Sequence, residues 1–307
     1  MIARAQRRAG LLAWGAVGVT ITMWGGYLVL ARSMARQDLG PQDLGLVRYL
    51  PAALLFAPVW MRFGLKPRRI AWRHAVAVGF LGGAGFMTLL AAGLAIAPVA
   101  DAGVFTPSML PLFVAALSAL LLGERFTGLR LVGFALILVG ALAVGGWEAI
   151  AQAGEGTWRG HLMLLAASAV WASYTVAYRL SKLSALEAAA MIALWASLFF
   201  GAWALVAGTR LPALAPATLA LQALAQGVLT GFVAAFTYGY ALTAIGPSRT
   251  AAFAALVPVI AALGGLIFLG EPIGPAKGIG IALTACGVAL ASGAARRRAS
   301  PPPPGPV

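Results

Sequence analysis

The chain has 307 residues, of which 61% are apolar and 10% charged, with a mean hydropathy of +0.91. A water-soluble domain carries about 45–50% apolar and about 25% charged residues, so the surplus apolar surface must face lipid and a soluble globule is excluded. The formal net charge of +14 does not mark a nucleic-acid binder, because the basic residues fall in short loops between apolar stretches and build no continuous face.

At roughly 20 residues per crossing, the apolar runs predict ten transmembrane helices in chain order. They lie near Leu11–Leu30, Gln42–Met61, His74–Leu94, Val99–Leu122, Leu129–Trp147, Gly160–Leu180, Leu186–Ala207, Thr218–Leu242, Thr250–Leu269 and Gly274–Ala294. The first follows a basic stretch, MIARAQRRAG, but has no A-x-A-like cleavage site where a signal peptide would carry one, so it reads as a retained helix. The last residues, RRRASPPPPGPV, cannot build a core and read as a disordered tail. The single cysteine, Cys286, lies within an apolar run, which leaves no disulfide framework and no cysteine-based metal site.

Orientation follows from the loop cations. With the N-terminus in the cytoplasm, sixteen of the 22 Lys and Arg fall inside, in clusters such as Arg4, Arg7, Arg8 and Arg62, Lys66, Arg68, Arg69, Arg73. The six others are Arg32, Arg36, Arg48, Arg159, Arg210 and Lys277. Both termini are therefore expected on the cytoplasmic side.

Sliding the sequence by 147 residues aligns the stretch from Leu110 with that from Val257. Pro111 meets Pro258, Gly123 and Glu124 meet Gly270 and Glu271, and Gly133 and Gly140 meet Gly280 and Gly287. The same offset pairs Trp24, Tyr27 and Arg32 with Trp171, Tyr174 and Arg179. Each half holds five spans, an odd number, so the second half must enter the membrane upside down. The expected fold is all-α integral membrane, ten helices as two inverted five-helix repeats, the pattern of an alternating-access transporter. The organisation reads as 1–10 cytoplasmic, 11–147 first repeat, 148–159 linker, 160–294 second repeat and 295–307 tail.

These features resemble the EamA-type branch of the drug/metabolite transporter superfamily over about residues 10 to 295. The carrying motifs are VRYLPAALLF in span 2, the doubled P-x(11)-GE at Pro111–Glu124 and Pro258–Glu271, the glycine-spaced spans 5 and 10, and GPSRTAAF before span 9. The resemblance implies a basket with spans 1, 3, 4, 6, 8 and 9 around a central cavity and spans 5 and 10 at the periphery. It also implies export of small metabolites, often amino acids, without ATP hydrolysis, from a bacterial inner membrane.

Polar residues deep in a span should face a cavity or a partner helix. In span 1, Thr20, Trp24 and Tyr27 share one helical face, and in span 6 Ser168, Trp171, Tyr174 and Tyr178 share another. As repeat mates, these stripes are expected to oppose each other and sandwich an apolar or aromatic side chain while hydroxyls fix its polar end. An interfacial belt accounts for Trp14, Trp60, Trp72, Trp147 and Trp158 near span ends, but suits the mid-span Trp24 and Trp171 poorly. Span 4 sets Asp101, Phe105 and Ser108 on one face, with Pro107 and Pro111 expected to kink it. Asp101 reads either as a partner for a substrate amino group or a proton, or as a solvated residue favoured by the helix dipole. Thr230, Thr237, Tyr238, Thr250 and Phe253 in spans 8 and 9, and Met87 and Thr88 in span 3, are further lining candidates.

Arg48, about six residues inside span 2, reads as structural, snorkelling outward or pairing with Asp43 or Asp38. Arg249 reads as a cytoplasmic anchor or as an attractant for a carboxylate. Glu124 and Glu271 are expected to satisfy free N–H groups of the helix that follows each. GFLGGAGF lacks the strand and lysine of a phosphate loop, GxSxG and HExxH are absent, and His74 and His161 fall near span ends. No cofactor, metal or catalytic residue is expected. The leading reading is a monomeric exporter of small zwitterions, amino acids with apolar or aromatic side chains, whose partners are the substrate and the bilayer. The alternatives are an uptake carrier or exchanger of a metabolite such as a nucleotide-linked sugar and, in another class, a membrane-embedded enzyme or a non-transporting scaffold.

Overall fold

With no water to bind its amides in the bilayer core, a chain of this composition can satisfy its backbone only within helices or a closed barrel, and its long uninterrupted apolar runs select helices. The computed structural model describes residues 2–126, 128–151, 156–234, 236–238, 253 and 255–292, and every regular element among them is helical. We number ten helices: α1 (Ile2–Ala35), α2 (Pro41–Leu55, prolonged by the short turn Ala57–Trp60), α3 (Trp72–Ile96), α4 (Val99–Leu121), α5 (Leu129–Ala151), α6 (Thr157–Ser181), α7 (Ala185–Ala207), α8 (Pro216–Tyr238), α9 (Val257–Leu269) and α10 (Pro275–Ala291). Six of them, α1 from Trp14 onward, α3, α4, α6, α7 and α8, are long and apolar enough to cross a bilayer, while α2, α9, α10 and the apolar Leu129–Gly145 part of α5 are shorter. The end of the expected span 8 and the start of span 9, with Arg249 and Thr250, lie outside the described residues, as does the tail.

Local chemistry sets the breaks. Pro41 opens α2, and the Asp43 carboxylate accepts from the Gly40 N–H at 3.0 Å. Ser184 and Glu187 form a reciprocal capping box at the start of α7. Gly123 and Gly270 end α4 and α9 at φ 67° and 65°, the left-handed cap that glycine adopts without a Cβ penalty.

The two halves interlock around a pseudo-two-fold axis. Within this packing α1 lies on α9 as α6 lies on α4, α3 on α6 as α8 on α1, and α2 on α8 as α7 on α3. Three pairs map onto themselves across the axis: α2 with α7, α4 with α9, and α5 with α10. An odd number of helices per half makes this exchange an inversion in the membrane. The α5–α10 pair is the closest approach: a Cβ on Gly140 would lie 2.6 Å from the Gly280 carbonyl oxygen, and one on Gly133 2.6 Å from that of Gly287. Large apolar side chains such as Leu120, Leu205, Val206, Ile267 and Phe268 stay exposed, as a lipid-facing surface requires.

Candidate functional site: a central aromatic cavity

Three of the helices around the axis are widened by π-helical turns: Phe80–Gly85 in α3, Val104–Ser108 in α4 and Ala223–Val233 in α8. The turns in α3 and α8 overlap under the 147-residue offset. Such turns redirect side chains and open the hydrogen-bond ladder, and Pro107 within the second one has no N–H to give. Between them lies a cavity of about 350 Å³, at the lower end of the roughly 300–1,000 Å³ of small-molecule sites.

Its wall is aromatic. Trp24 from α1 meets Trp171 from α6 edge-on at 6.4 Å, with Tyr238 5.1 Å from Trp24 and Phe86 4.7 Å from Trp171. Tyr174 and Tyr178 stack at 6.2 Å along the same side of α6. Thr106 and Thr230 are also at the wall, and the Tyr27 hydroxyl donates to the Met87 sulfur at 3.0 Å, which holds its ring against the cavity. At one end the cavity reaches Tyr178 and the exposed Ala185 at the α6–α7 turn.

The opposite end is tied shut. Glu271, at the end of α9, accepts from Arg32 Nε at 2.9 Å and from the Val99 N–H at 2.7 Å, with Arg36 at 3.4 Å. Arg32 also donates to the Leu94 carbonyl, so one carboxylate and one guanidinium bind the ends of α1, α3, α4 and α9 together. The repeat-related pair, Arg179 and Glu124, meets at 3.0 Å at the other face, but its side chains are 49% and 38% exposed against 11% and 7% for Arg32 and Glu271. Among the described residues neither glutamate serves the helix that follows it in the way expected: Glu271 accepts from the first amide of α4, and Glu124 answers Arg179 of α6.

Near the tied end, Asp101 is fully buried, 2.9 Å from His161 Nε2 and 2.7 Å from Lys277 Nζ, which joins α4, α6 and α10. Phe105 stacks on the His161 ring at 4.6 Å. Asp101 is therefore neither solvated nor at the cavity wall, and the same holds for Phe105, whose ring faces an outer crevice with Leu138 and Trp158. Ser108 is spent on the Gly103 carbonyl and Ser168 on that of Thr106. Thr20 and Thr237 bond each other at 2.7 Å, tying α1 to α8, Met87 is buried behind Tyr27, and Phe253 packs edge-on against Trp14 at 5.0 Å. The Thr88 hydroxyl is buried without a hydrogen-bond partner.

The family resemblance left α2 and α7 out of the helices expected around the cavity. In the structure α2 brings Arg48, Tyr49 and Ala52 to the wall, and α7 brings Ala188, Ile192 and Ala193. Arg48 does not snorkel or pair as expected: Asp43 is buried on the Gly40, Thr209 and Arg210 groups, and Asp38 sits 3.8 Å from Arg210. Its helical register, one turn before the small Ala52, was the available signal, since a charge six residues into a span needs an inward partner.

Two inverted five-helix repeats around a central aromatic cavity are the architecture of a membrane transporter. The model of the EamA-like transporter family matches residues 12–146 and 158–293, one copy per repeat, and the chain belongs to that family. A protein named probable terminal-alkyne amino-acid exporter, from Streptantibioticus cattleyicolor, is 27% identical over 280 residues, covering 90% of this chain and 92% of that protein. A solved crystal structure shares the fold at 22% identity with a TM-score of 0.61, over 93% of this chain and 96% of that one.

Proposed function

We propose that the protein exports small amino acids with apolar or aromatic side chains, by rocking of its two halves around the central cavity. The observation that carries this reading is the Trp24–Trp171 pair, two repeat-related rings meeting across the axis inside a cavity of amino-acid size. The likeness to an exporter named for an amino-acid substrate supports it. The loop cations favour an inner-membrane protein with both termini in the cytoplasm. In that orientation the tied Arg32–Glu271 end is external and the cavity opens inward, the loading step of export. A cavity walled entirely by helices of one chain supports a monomer.

The test is efflux from proteoliposomes loaded with a mixed amino-acid panel, with and without a pH gradient, beside a Trp24→Ala/Trp171→Ala variant. Aromatic and branched apolar amino acids are expected to leave faster than from protein-free liposomes, with the double variant losing most of that rate. Panel-wide efflux at the protein-free rate rejects the amino-acid reading.

A further inference from the structure

Arg48 is the one charged side chain among the described residues that line the cavity. Its guanidinium carbon stands 3.9 Å from the centre of the Tyr27 ring and 5.6 Å from that of Tyr49. Ring faces attract a cation but supply no counter-charge. Nε and Nη1 are buried and have no hydrogen-bond partner. Among the described residues no carboxylate lies within ion-pairing distance: the two nearest in sequence, Asp43 and Asp38, are engaged elsewhere. A buried guanidinium with open donors and no anion is a costly arrangement, and it is one that a ligand carrying an anion would complete.

We propose that Arg48 is the anchor for a carboxylate of the transported molecule, and that this carboxylate, not an amino group, is the obligatory recognition element. The planar fork of a guanidinium matches a carboxylate through two parallel hydrogen bonds. Among the described lining residues there is no acid to answer an ammonium group, for which only the faces of Trp24, Trp171 and Tyr238 are at hand. A diphosphate would need more than one cation. The substrate class is therefore small monocarboxylates with an apolar or aromatic body, of which amino acids are one set. This inference rests on the transport reading of the same cavity and narrows its substrate.

The experiment uses the full chain with four probes of one skeleton: phenylalanine, 3-phenylpropionate, phenylalaninamide and 2-phenylethylamine. Binding is read as a ligand-induced rise in Tm in detergent and transport as flux in proteoliposomes. The two acids are expected to bind and move while the amide and the amine do neither. Arg48→Gln is expected to weaken binding of the acids about 30-fold or more, the equivalent of about 2 kcal/mol for losing one partner of a buried charge pair, and Arg48→Lys to fall between. Should Arg48→Gln fail to fold, the panel on the unaltered chain decides. Phenylalanine and phenylalaninamide binding alike, or neither acid binding, overturns the anchor. Flux of phenylalanine and phenylalaninamide at equal rates overturns it while leaving the exporter reading intact; flux of 3-phenylpropionate without phenylalanine supports the anchor and removes the amino-acid reading.

Discussion

Charges inside a lipid-embedded bundle cost several kcal/mol unless something answers them, and this protein answers them in different ways. Asp101 is met by His161 and Lys277, Glu271 by Arg32, Arg36 and a backbone amide, and Arg48, among the described residues, by the side chains of Tyr27 and Tyr49 and by no acid. Removing one partner of a buried pair leaves the other charge uncompensated, typically at about 3–5 kcal/mol. Asp101→Asn, which keeps shape and removes a fully buried charge that both His161 and Lys277 face, is therefore expected to lower the Tm in detergent by a clearly resolved amount. An unchanged Tm would return Asp101 to the role of a solvated helix start. The aromatic stripes were readable because one period of 3.6 residues places Trp24 with Tyr27 and Trp171 with Tyr174 on single faces. The fates of Arg48 and Asp101 were not, since period says which face a charge occupies and nothing of which neighbour meets it.

Helix by helix, glycine and π-helical turns shape the bundle more than side-chain volume does. The α5–α10 contact brings the Gly140 and Gly280 backbones so close that a Cβ has no room. Overpacking of such a seam costs about 1–3 kcal/mol even in forgiving cores, and here the obstacle is backbone, which cannot swing aside. Gly140→Leu is expected to lower the Tm and the yield of folded protein, whereas Gly26→Ala, with open space around it, should leave both unchanged or slightly improved. Equal behaviour of the two variants would contradict a packed α5–α10 seam. The glycine spacing of both helices was legible in sequence, but that the two pair with each other was not. The π-helical turns were not legible, because an extra residue per turn is a response to tertiary packing around the cavity and carries no residue signature beyond Pro107.

For the molecule as a whole, one pair of residues occurs twice and is used unequally. Arg32–Glu271 is buried at one face while its repeat mate Arg179–Glu124 is exposed at the other. Under the rocking mechanism proposed above, identical chemistry at both ends is what two states of similar energy would need, each tied where the other is open. A cavity thiol reports the balance. In a Cys286→Ser background, Thr230→Cys is expected to react with a membrane-impermeant maleimide from the Arg179 side, and adding Glu271→Gln should raise labelling from the Arg32 side several-fold. Labelling that ignores Glu271→Gln would show that the tie does not hold that end closed.

Composition and repeat alone determined that the chain lies in a membrane, that it has ten helices in two inverted halves, and that aromatic stripes face each other between them. These are properties of period, hydropathy and parity, and each is carried by residues close together in the chain or at one constant offset. Tertiary structure alone decided that α2 and α7 stand at the cavity, that Arg48 keeps open donors there, that Asp101 is enclosed by α6 and α10, and which end is tied. Those outcomes depend on contacts between residues such as Arg32 and Glu271, 239 positions apart, whose meeting follows from how two half-bundles pack and not from any local pattern.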